Sequence, residues 1–287
     1  LSFCPTVQYV MFQPARSDML VAIDTGNTNT VFGIYQGSDL KASFRVSSRR
    51  DATLDEWLSS IDGLLSFKGI DRRMVDSACI ASVVPSVGSM MEDVVRSLFS
   101  VEPLVVGPGT RTGISICYES PSDVGPDRIV NAVAAHARYG MNTIVIDLGT
   151  ATTFDAVTAS GQYLGGVIVP GIAMGLDSLS ARTARLPRVG FARTGHVIGR
   201  NTVASIQSGA YWGLVAMLEG LTRRMMAEFE GPVRVVATGG LASLVCGDCP
   251  FIDEVDGDLT LEGLRIIWDK NRGPARDFGT TADRGQH

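Results

Sequence analysis

The chain has 287 residues, of which 45% are hydrophobic and 19% are charged, a balance typical of folded proteins with a substantial core. This length allows two domains of about 100 to 200 residues each. The formal net charge of −5 gives no long-range attraction to nucleic acid or to an anionic membrane, and no apolar run approaches the roughly 18 residues that span a bilayer. We therefore expect a soluble protein that binds neither nucleic acid nor membrane.

Cysteine and histidine usage limits the chemistry further. Five cysteines at irregular spacing do not form a disulfide framework in a chain of this size, which indicates a reducing, cytoplasmic compartment. Cys246 and Cys249 form a C-x-x-C pair without the second pair or the histidines of a zinc site, so we interpret them as loop thiols. With only three histidines, a histidine-rich metal site or a histidine-based triad is poorly supplied.

The strong sequence patterns begin at Met19. Residues 1–18 lack the basic region and the clear cleavage site of a signal peptide, so we expect an extension outside the fold, either disordered or left over from cloning. At the other end, residues 271–287 are expected to form a polar, frayed tail.

The first predicted strand, residues 20–23, ends in Asp24 and a polar turn, after which a second strand begins. Gly26 allows a positive φ angle and lets a ligand approach the backbone, while the amide and hydroxyl groups of the turn suit phosphate oxygens. Because Asp24 would repel a phosphate, a cation is needed between them, and magnesium fits. The turn alone is equally typical of an ordinary β-hairpin.

Strands and helices follow with the spacing of an α/β protein. The predicted strands cover residues 41–46, 78–84, 103–106, 114–118, 151–157, 163–169 and 233–238, and the predicted helices cover residues 53–65, 90–98, 126–137, 203–229 and 259–270. Residues 121–124 are expected to be extended or a turn. Neither a P-loop motif nor a G-x-G-x-x-G motif that opens a helix is present, so the nucleotide hypothesis depends on the hairpin.

The helix that begins near residue 126 opens with the sequence Gly-Pro-Asp-Arg. Pro126 suits the first helical position, Asp127 suits the positive end of the helix, and the free amides there can bind an anionic substrate. On its own, the motif also fits a favourable cap in which Asp127 and Arg128 form a surface ion pair. Its position just before a second aspartate hairpin favours the binding role.

That second hairpin repeats the first. Residues 144–146 lead to Asp147, and aligning it with Asp24 places Gly149 on Gly26. Two copies predict two similar subdomains, each presenting an aspartate-tipped hairpin to a shared cleft, and such clefts are common ligand sites.

Two later features have alternative readings. Asn201 or Thr202 can cap the long helix that follows them. Gly239 and Gly240, directly after a predicted strand, let the backbone lie flat against a planar ring, although a plain strand-to-helix turn fits them equally well.

Taken in order, these motifs resemble the acetate kinase, sugar kinase, heat-shock protein and actin superfamily, and within it they are closely similar to the type III pantothenate kinase family. The resemblance is carried by residues 24–28, 125–128, 147–153, 165–171 and 199–202, and it covers most of residues 19–270. It implies a duplicated ribonuclease H-like, actin-like ATPase fold. The two subdomains would be residues 19–124 and 125–270 around a central cleft.

The resemblance also implies an activity, the ATP-dependent phosphorylation of pantothenate, which is the entry step to coenzyme A. Asp127 would be the catalytic proton acceptor, and Asp147 would ligate a monovalent cation, potassium or ammonium. Magnesium is expected at Asp24, directly or through water. The ATP-binding residues are predicted to be Asp24, Thr25, Gly26, Asn27, Thr28, Asn29, Thr30, Val31 and Thr150, joined by Gly239 and Gly240. The substrate-binding residues implied are Tyr118, Gly125, Pro126, Asp127, Arg128 and Thr202.

The family is homodimeric, with the pantothenate pocket near the interface, so the resemblance implies a homodimer here. Because the chain lacks a P-loop lysine, metal ions and Arg128 are expected to neutralise the transferring phosphoryl group.

Two alternatives stay open: a kinase for another small alcohol or acid, such as a sugar or acetate, and a non-catalytic nucleotide-binding regulator of the kind called a Bvg accessory factor. The intact aspartates of the motifs argue against an inactive site.

Overall fold

The computed structural model describes residues 18–272, and the expectations for residues 1–17 and 273–287 lie outside this range. The strands are β1 (Met19–Thr25), β2 (Asn29–Gln36), β3 (Asp39–Ser47), β4 (Val75–Ser82), β5 (Leu104–Val105), β6 (Ser115–Ile116), β7 (Asn142–Leu148), β8 (Ala151–Val157), β9 (Gln162–Pro170), β10 (Val233–Thr238) and β11 (Glu254–Val255). The α-helices are α1 (Leu54–Phe67), α2 (Pro85–Phe99), α3 (Pro126–Tyr139), α4 (Ile172–Ala181), α5 (Thr202–Met226), α6 (Ala242–Val245) and α7 (Leu259–Asn271).

Two sheets repeat one topology. The first has the order β3-β2-β1-β4-β5, and the second has the order β9-β8-β7-β10-β11 with β6 added beside β9. In each sheet the first three strands form an antiparallel meander, and the last two run parallel to the central strand. This match confirms the predicted α/β class and the duplicated ribonuclease H-like fold.

Helices α3 and α7 form a layer that both sheets share. Along β1 the side chains alternate, because Val21 packs toward α1 and α2 whereas Leu20 packs toward α3 and α7. In β7, Val145 packs with α3 and Ile146 packs on the opposite face with α5. The two sheets are therefore fixed relative to one another through α3 and α7, and the central strands β1 and β7 are covered on both faces.

The helix starts follow the sequence signals. Thr53 caps α1 and forms a reciprocal capping box with Glu56, and Pro126 lies in the first turn of α3. Of the two candidate caps for α5, Asn201 is the one used, since its Oδ1 accepts a hydrogen bond of 2.9 Å from the Ala204 backbone N–H. Capping thus places the N-termini of these helices where the sequence predicts them.

Several elements differ from the predictions. Helix α4 and strand β11 were not predicted, and α5 ends at Met226, three residues before the predicted Phe229. The helix start expected after the glycine pair is α6, which is only four residues long. Met174 and Leu179 of α4 are 51% and 39% exposed. The apolar residues of this helix are therefore not confined to one face, and its sequence lacks the 3.6-residue alternation of apolar and polar positions that predicts an amphipathic helix. Residues 121–124 contain a short 3₁₀ turn, Pro121–Asp123. Between residues 18 and 272 no helix combines the length and apolar character needed to cross a membrane.

Gly263 of α7 packs tightly against α3. A Cβ atom there would lie 2.2 Å from the Val130 carbonyl oxygen, whereas a Cβ atom at Gly63, on the exposed side of α1, would meet nothing within 4 Å. We expect Gly263→Ala to lower the free energy of unfolding by about 1–3 kcal/mol through overpacking. The control Gly63→Ala should raise it by about 0.5–1 kcal/mol through helix propensity. Urea unfolding measures both, and equal effects would contradict the tight crossing.

Candidate functional site

Three aspartates of the predicted motifs share one electrostatic environment. Asp24 lies near the end of β1, Asp147 near the end of β7, and Asp127 in the first turn of α3. Burial, together with the negative charges of Asp127 and Asp147, raises the pKa of Asp24 to about 8. Burial likewise raises the pKa of Asp147 to about 7, with contributions from Asp127 and Asp155. The cleft therefore concentrates negative charge where water is scarce.

The turns of the two aspartate hairpins touch directly. The Thr28 and Thr150 hydroxyl oxygens are 2.7 Å apart and share a hydrogen bond. Thr28 belongs to the β1–β2 turn and Thr150 to the β7–β8 turn, so the repeated motif brings both turns to one cleft. The predicted juxtaposition of the hairpins is confirmed by this contact.

The reason for glycine in these turns differs from the one expected. Gly26 is not in the positive-φ region, so the expectation that the turn uses this conformation was wrong. Its backbone N–H instead donates to the Asn29 carbonyl oxygen at 3.0 Å, and a Cβ atom would lie 3.1 Å from that same oxygen. Glycine is favoured at position 26 because the turn closes tightly on itself.

The paired glycines lie against the second hairpin. Gly239 has a φ angle of +90°, and a Cβ atom there would be 2.5 Å from Asp147 Oδ1. This packing explains Gly239 without any ligand, so a contact of Gly239 or Gly240 with the nucleotide stays a prediction. The nearest atom to a Cβ at Gly240 is Arg45 Nη1, at 3.6 Å.

Two arginines beside the hairpin turns were not singled out from the sequence. Arg50 Nη2 donates to Asn27 Oδ1 at 3.2 Å, and Arg45 extends from β3 toward Gly240. Within residues 18–272 neither guanidinium pairs with a carboxylate. Both are available for phosphate oxygens, and their adjacency to the hairpin turns is visible only in three dimensions.

The α3 N-terminus holds Asp127 and Arg128 in different environments. Asp127 Oδ1 accepts a hydrogen bond of 2.8 Å from the Arg128 backbone N–H, and a Cβ atom at Gly125 would lie 2.5 Å from the same oxygen. Burial raises the pKa of Asp127, although this hydrogen bond and the Arg128 guanidinium oppose the rise. The alternative of a surface ion pair between the two residues was wrong, because the Arg128 side chain is 8% exposed and pairs elsewhere.

The partner of Arg128 is Asp155, a residue that the sequence analysis missed. Arg128 Nε donates to Asp155 Oδ1 at 2.7 Å, and the Tyr163 hydroxyl donates to the same oxygen at 2.9 Å. Burial raises the pKa of Asp155 to about 6 against the opposing charge of Arg128. A single acid among apolar and threonine residues of a predicted strand was the available signal, because such a residue is rarely buried without a partner.

The predicted substrate residues fall into two groups. Tyr118 is 40% exposed and its ring lies 6.4 Å from the ring of Tyr163, so it belongs with the Arg128 group. Thr202 instead lines a largely apolar cavity of about 540 Å³ between α4 and α5. No hydrogen bond among the described residues joins Thr202 to Asp127 or Arg128.

The carboxylates of the cleft can supply one or two ligands to a cation, whose other ligands would be water or a bound substrate. Within residues 18–272, no group of three or more histidine, cysteine, aspartate or glutamate side chains forms a complete metal cage. Asp147 receives one protein hydrogen bond, 3.3 Å from Asn131 Nδ2 to Oδ2, and Asn131 is held in turn by the Thr260 hydroxyl at 2.8 Å. Hard cations that keep several waters suit isolated carboxylates of this kind. Asp24 and Asp147 are therefore plausible cation ligands by their chemistry.

Solved structures similar to this chain share its fold. A Campylobacter jejuni protein assigned to a Baf family of transcriptional activators aligns with a TM-score of 0.54 and 19% identity over 88% of this chain and 98% of its own. A ROK family glucokinase from Streptomyces griseus, solved with glucose and AMPPNP, aligns with a TM-score of 0.50 and 11% identity over 88% of this chain and 98% of its own.

The duplicated sheet topology and the paired hairpins define the actin-like ATPase fold class, which the solved relatives share. A family model described as type III pantothenate kinase matches residues 20–224. The type III pantothenate kinase of Anaeromyxobacter sp. (strain Fw109-5) is 49% identical over 254 residues, which is 88% of this chain and 100% of that relative. The chain belongs to the type III pantothenate kinase family.

The raised pKa of Asp24 predicts a pH-dependent penalty on stability. Between the ordinary value of 3.8 and about 8, the unfolded chain binds fewer protons than the folded one, so stability falls as pH rises through this window. At pH about 8, without nucleotide or metal, Asp24→Asn should raise Tm by about 2–4 °C, equivalent to about 1 kcal/mol, and the gain should shrink near pH 4. Thermal unfolding at both pH values measures it.

The control for this measurement is Glu228→Gln, which changes an exposed carboxylate beyond the end of α5. This variant should show no pH-dependent difference from the wild type. A gain for Asp24→Asn that is equal at both pH values would contradict the buried charge as its cause.

Proposed function

We propose that this protein phosphorylates the primary hydroxyl of pantothenate with ATP, the first step of coenzyme A biosynthesis, in the cleft between the two hairpins. Membership of the type III pantothenate kinase family supports the reaction, and the Thr28–Thr150 contact beside the partly buried aspartates supports the location. As a kinase, the protein uses ATP and a divalent metal.

The nucleotide half of the site is the pair of hairpin turns. Residues 24–31 and Thr150 supply backbone amides, hydroxyls and an amide side chain for the phosphates, and Arg45 and Arg50 add positive charge beside them. Asp24 would hold magnesium, directly or through water. When bound, the divalent ion neutralises triphosphate charge, a task for which this chain has no P-loop lysine.

The acceptor half of the site is the N-terminus of α3, where Asp127 would act as the general base. A base is most effective when its pKa lies near the working pH, and burial moves Asp127 in that direction. The α3 backbone amides and the Arg128 guanidinium place positive charge beside the base, where it favours anionic substrate groups. Asp127 would take the hydroxyl proton as the oxygen attacks the γ-phosphorus, while the bond from this phosphorus to the β–γ bridging oxygen breaks and ADP leaves.

Asp147 is the proposed ligand of the monovalent cation, potassium or ammonium. Its single hydrogen bond from Asn131 and its raised pKa mark it as a carboxylate whose charge is poorly balanced by the protein. A bound cation would supply the missing balance and would let Asp147 stay ionised at neutral pH.

A homodimer would complete the acceptor pocket. Helices α4 and α5 expose several apolar side chains around the cavity that Thr202 lines, and an apolar face of this kind favours association. We place the interface there, so that Thr202 reaches the pantothenate pocket of the assembled protein.

The four cysteines of the described residues are free thiols, which fits a reducing cytoplasm.

Asp127→Asn should keep ATP binding and reduce kcat by about 10²- to 10⁴-fold, since general-base help is typically of that size. A coupled assay of ADP release, with and without pantothenate, measures the rate, and calorimetry measures ATP binding. Asp123→Asn, the same change at an exposed position before α3, is the matched control and should stay active. A fully active Asp127→Asn would refute the base.

The same assay tests the reaction itself. Pantothenate-dependent ADP release by the wild type is the expected result. Release only with a sugar or acetate would make the protein a kinase of another acceptor, and ATP binding without any transfer would favour the regulator.

Replacing potassium by sodium at constant ionic strength should lower the turnover of the wild type by about tenfold or more. Potassium is larger and less strongly hydrated than sodium, so it loses less hydration free energy when it enters the site. Asp147→Asn should be slow in either salt and lose the difference between them. Initial rates in potassium, ammonium and sodium chloride provide the comparison. Equal wild-type rates in all three would remove Asp147 from this role.

A further inference from the structure

We propose that Asp155 and Tyr163 are positioning residues that hold the Arg128 guanidinium in a fixed orientation, with its Nη2 directed to an acceptor oxygen of bound substrate. The proposal rests on the proposed function, because it assigns an effect on pantothenate binding. Neither residue belongs to the motifs that the sequence analysis assigned to the site.

The ion pair is buried on both sides. Arg128 Nε donates to Asp155 Oδ1 at 2.7 Å, the Arg128 side chain is 8% exposed, and Asp155 is fully buried. Because both partners are removed from water, a change in one leaves the other with an uncompensated charge. The pair can therefore fix a geometry that an exposed ion pair would not.

The carboxylate is itself held in place. Tyr163, a fully buried residue of β9, donates its hydroxyl hydrogen to Asp155 Oδ1 at 2.9 Å, and its ring lies 5.8 Å from the Arg128 guanidinium carbon. The Thr153 hydroxyl donates to the second oxygen, Oδ2, at 3.3 Å. Asp155 thus receives three donors and has no freedom to turn away from Arg128.

The guanidinium has an unused donor. Arg128 Nη2 is buried and has no hydrogen-bond partner among residues 18–272. A Cβ atom at Gly166 would lie 2.8 Å from this nitrogen and 1.7 Å from the Phe154 carbonyl oxygen. The β9 backbone therefore reaches Nη2 only because residue 166 is glycine, and the side chain cannot swing in that direction.

A buried, charged N–H group without a partner is costly, which favours an acceptor that arrives with the ligand. The next residue along α3 toward its N-terminus is Asp127, the proposed base, and Tyr118 packs beside Tyr163 at the same end. Nη2 is thus fixed at the acceptor half of the cleft rather than at the phosphate turns. Pantothenate, an anion with several oxygen atoms, is a suitable acceptor.

The test compares steady-state kinetics of Asp155→Asn, Tyr163→Phe and the wild type. Asp155→Asn should raise KM for pantothenate by about 10- to 100-fold and Tyr163→Phe by about 3- to 10-fold, because each removes one interaction that fixes Arg128. KM for ATP should stay within about twofold in both variants. Unchanged KM for pantothenate in both would overturn the proposal.

Two matched controls separate positioning from general damage. Asp256→Asn removes a buried carboxylate from an ion pair at 2.6 Å with Arg138, whose side chain is more exposed than that of Arg128, and Tyr35→Phe removes the hydroxyl of another fully buried tyrosine. Both should leave KM for pantothenate unchanged. If they raise it as much as the test variants do, the effect is a loss of stability and the proposal fails.

A double-mutant cycle shows whether Asp155 acts through Arg128. In an Arg128→Lys background, Asp155→Asn should raise KM by less than about threefold further, because the group that it positions is already altered. A full, additive effect would show that Asp155 acts independently of Arg128. If Asp155→Asn does not fold, Tyr163→Phe in both backgrounds gives the same comparison.

Failure of the reaction assignment looks different from failure of this proposal. The first appears in the wild type as absence of pantothenate phosphorylation, and the kinetics are then measured with the acceptor that the wild type does phosphorylate. The second appears as unchanged acceptor KM in variants of an active wild type.

Discussion

The organisation of this protein depends on the burial of like charges. Asp24, Asp127 and Asp147 come from two sheets and one helix, and burial raises the pKa of each. Repulsion from neighbouring carboxylates adds to the rise for Asp24 and Asp147. No folding advantage follows from such an arrangement, since each ionised carboxylate loses hydration without gaining a full counter-charge. Bound cations would supply the missing counter-charge, so the ionised carboxylates favour binding of a metal ion together with the polyphosphate that it neutralises.

Helix α3 connects this charge to the rest of the molecule. Its N-terminus carries Asp127 and Arg128, its next turn carries Asn131 against Asp147, and its apolar side packs between the sheets with α7. A single rigid element therefore sets the distances among the proposed base, the positioned guanidinium and the second hairpin. Sites built on such elements keep their geometry better than sites built on loops alone.

Much of the fold followed from local patterns. The repeated strand, aspartate and glycine sequence predicted the duplication, and capping signals placed the starts of α1, α3 and α5. Helix α4 was missed because its apolar residues are not confined to one buried face. Local sequence also gave no access to contacts between distant residues. Asp155 lies 27 positions from Arg128, and Gly26 and Gly239 each lie close to atoms of the protein that no local pattern reveals.

The hydrogen bond between Thr28 and Thr150 has a consequence for how substrate enters. It joins two exposed, uncharged hydroxyls, and a neutral hydrogen bond of this kind stabilises a protein by about 0.5–1.5 kcal/mol. Elsewhere the two sheets are joined by the packed helices α3 and α7. A hydrogen bond this weak opens and closes many times by thermal fluctuation during one turnover. At the proposed phosphate site, a ligand that bridges both turns therefore has to break only this hydrogen bond, and its own contacts with the two turns replace it.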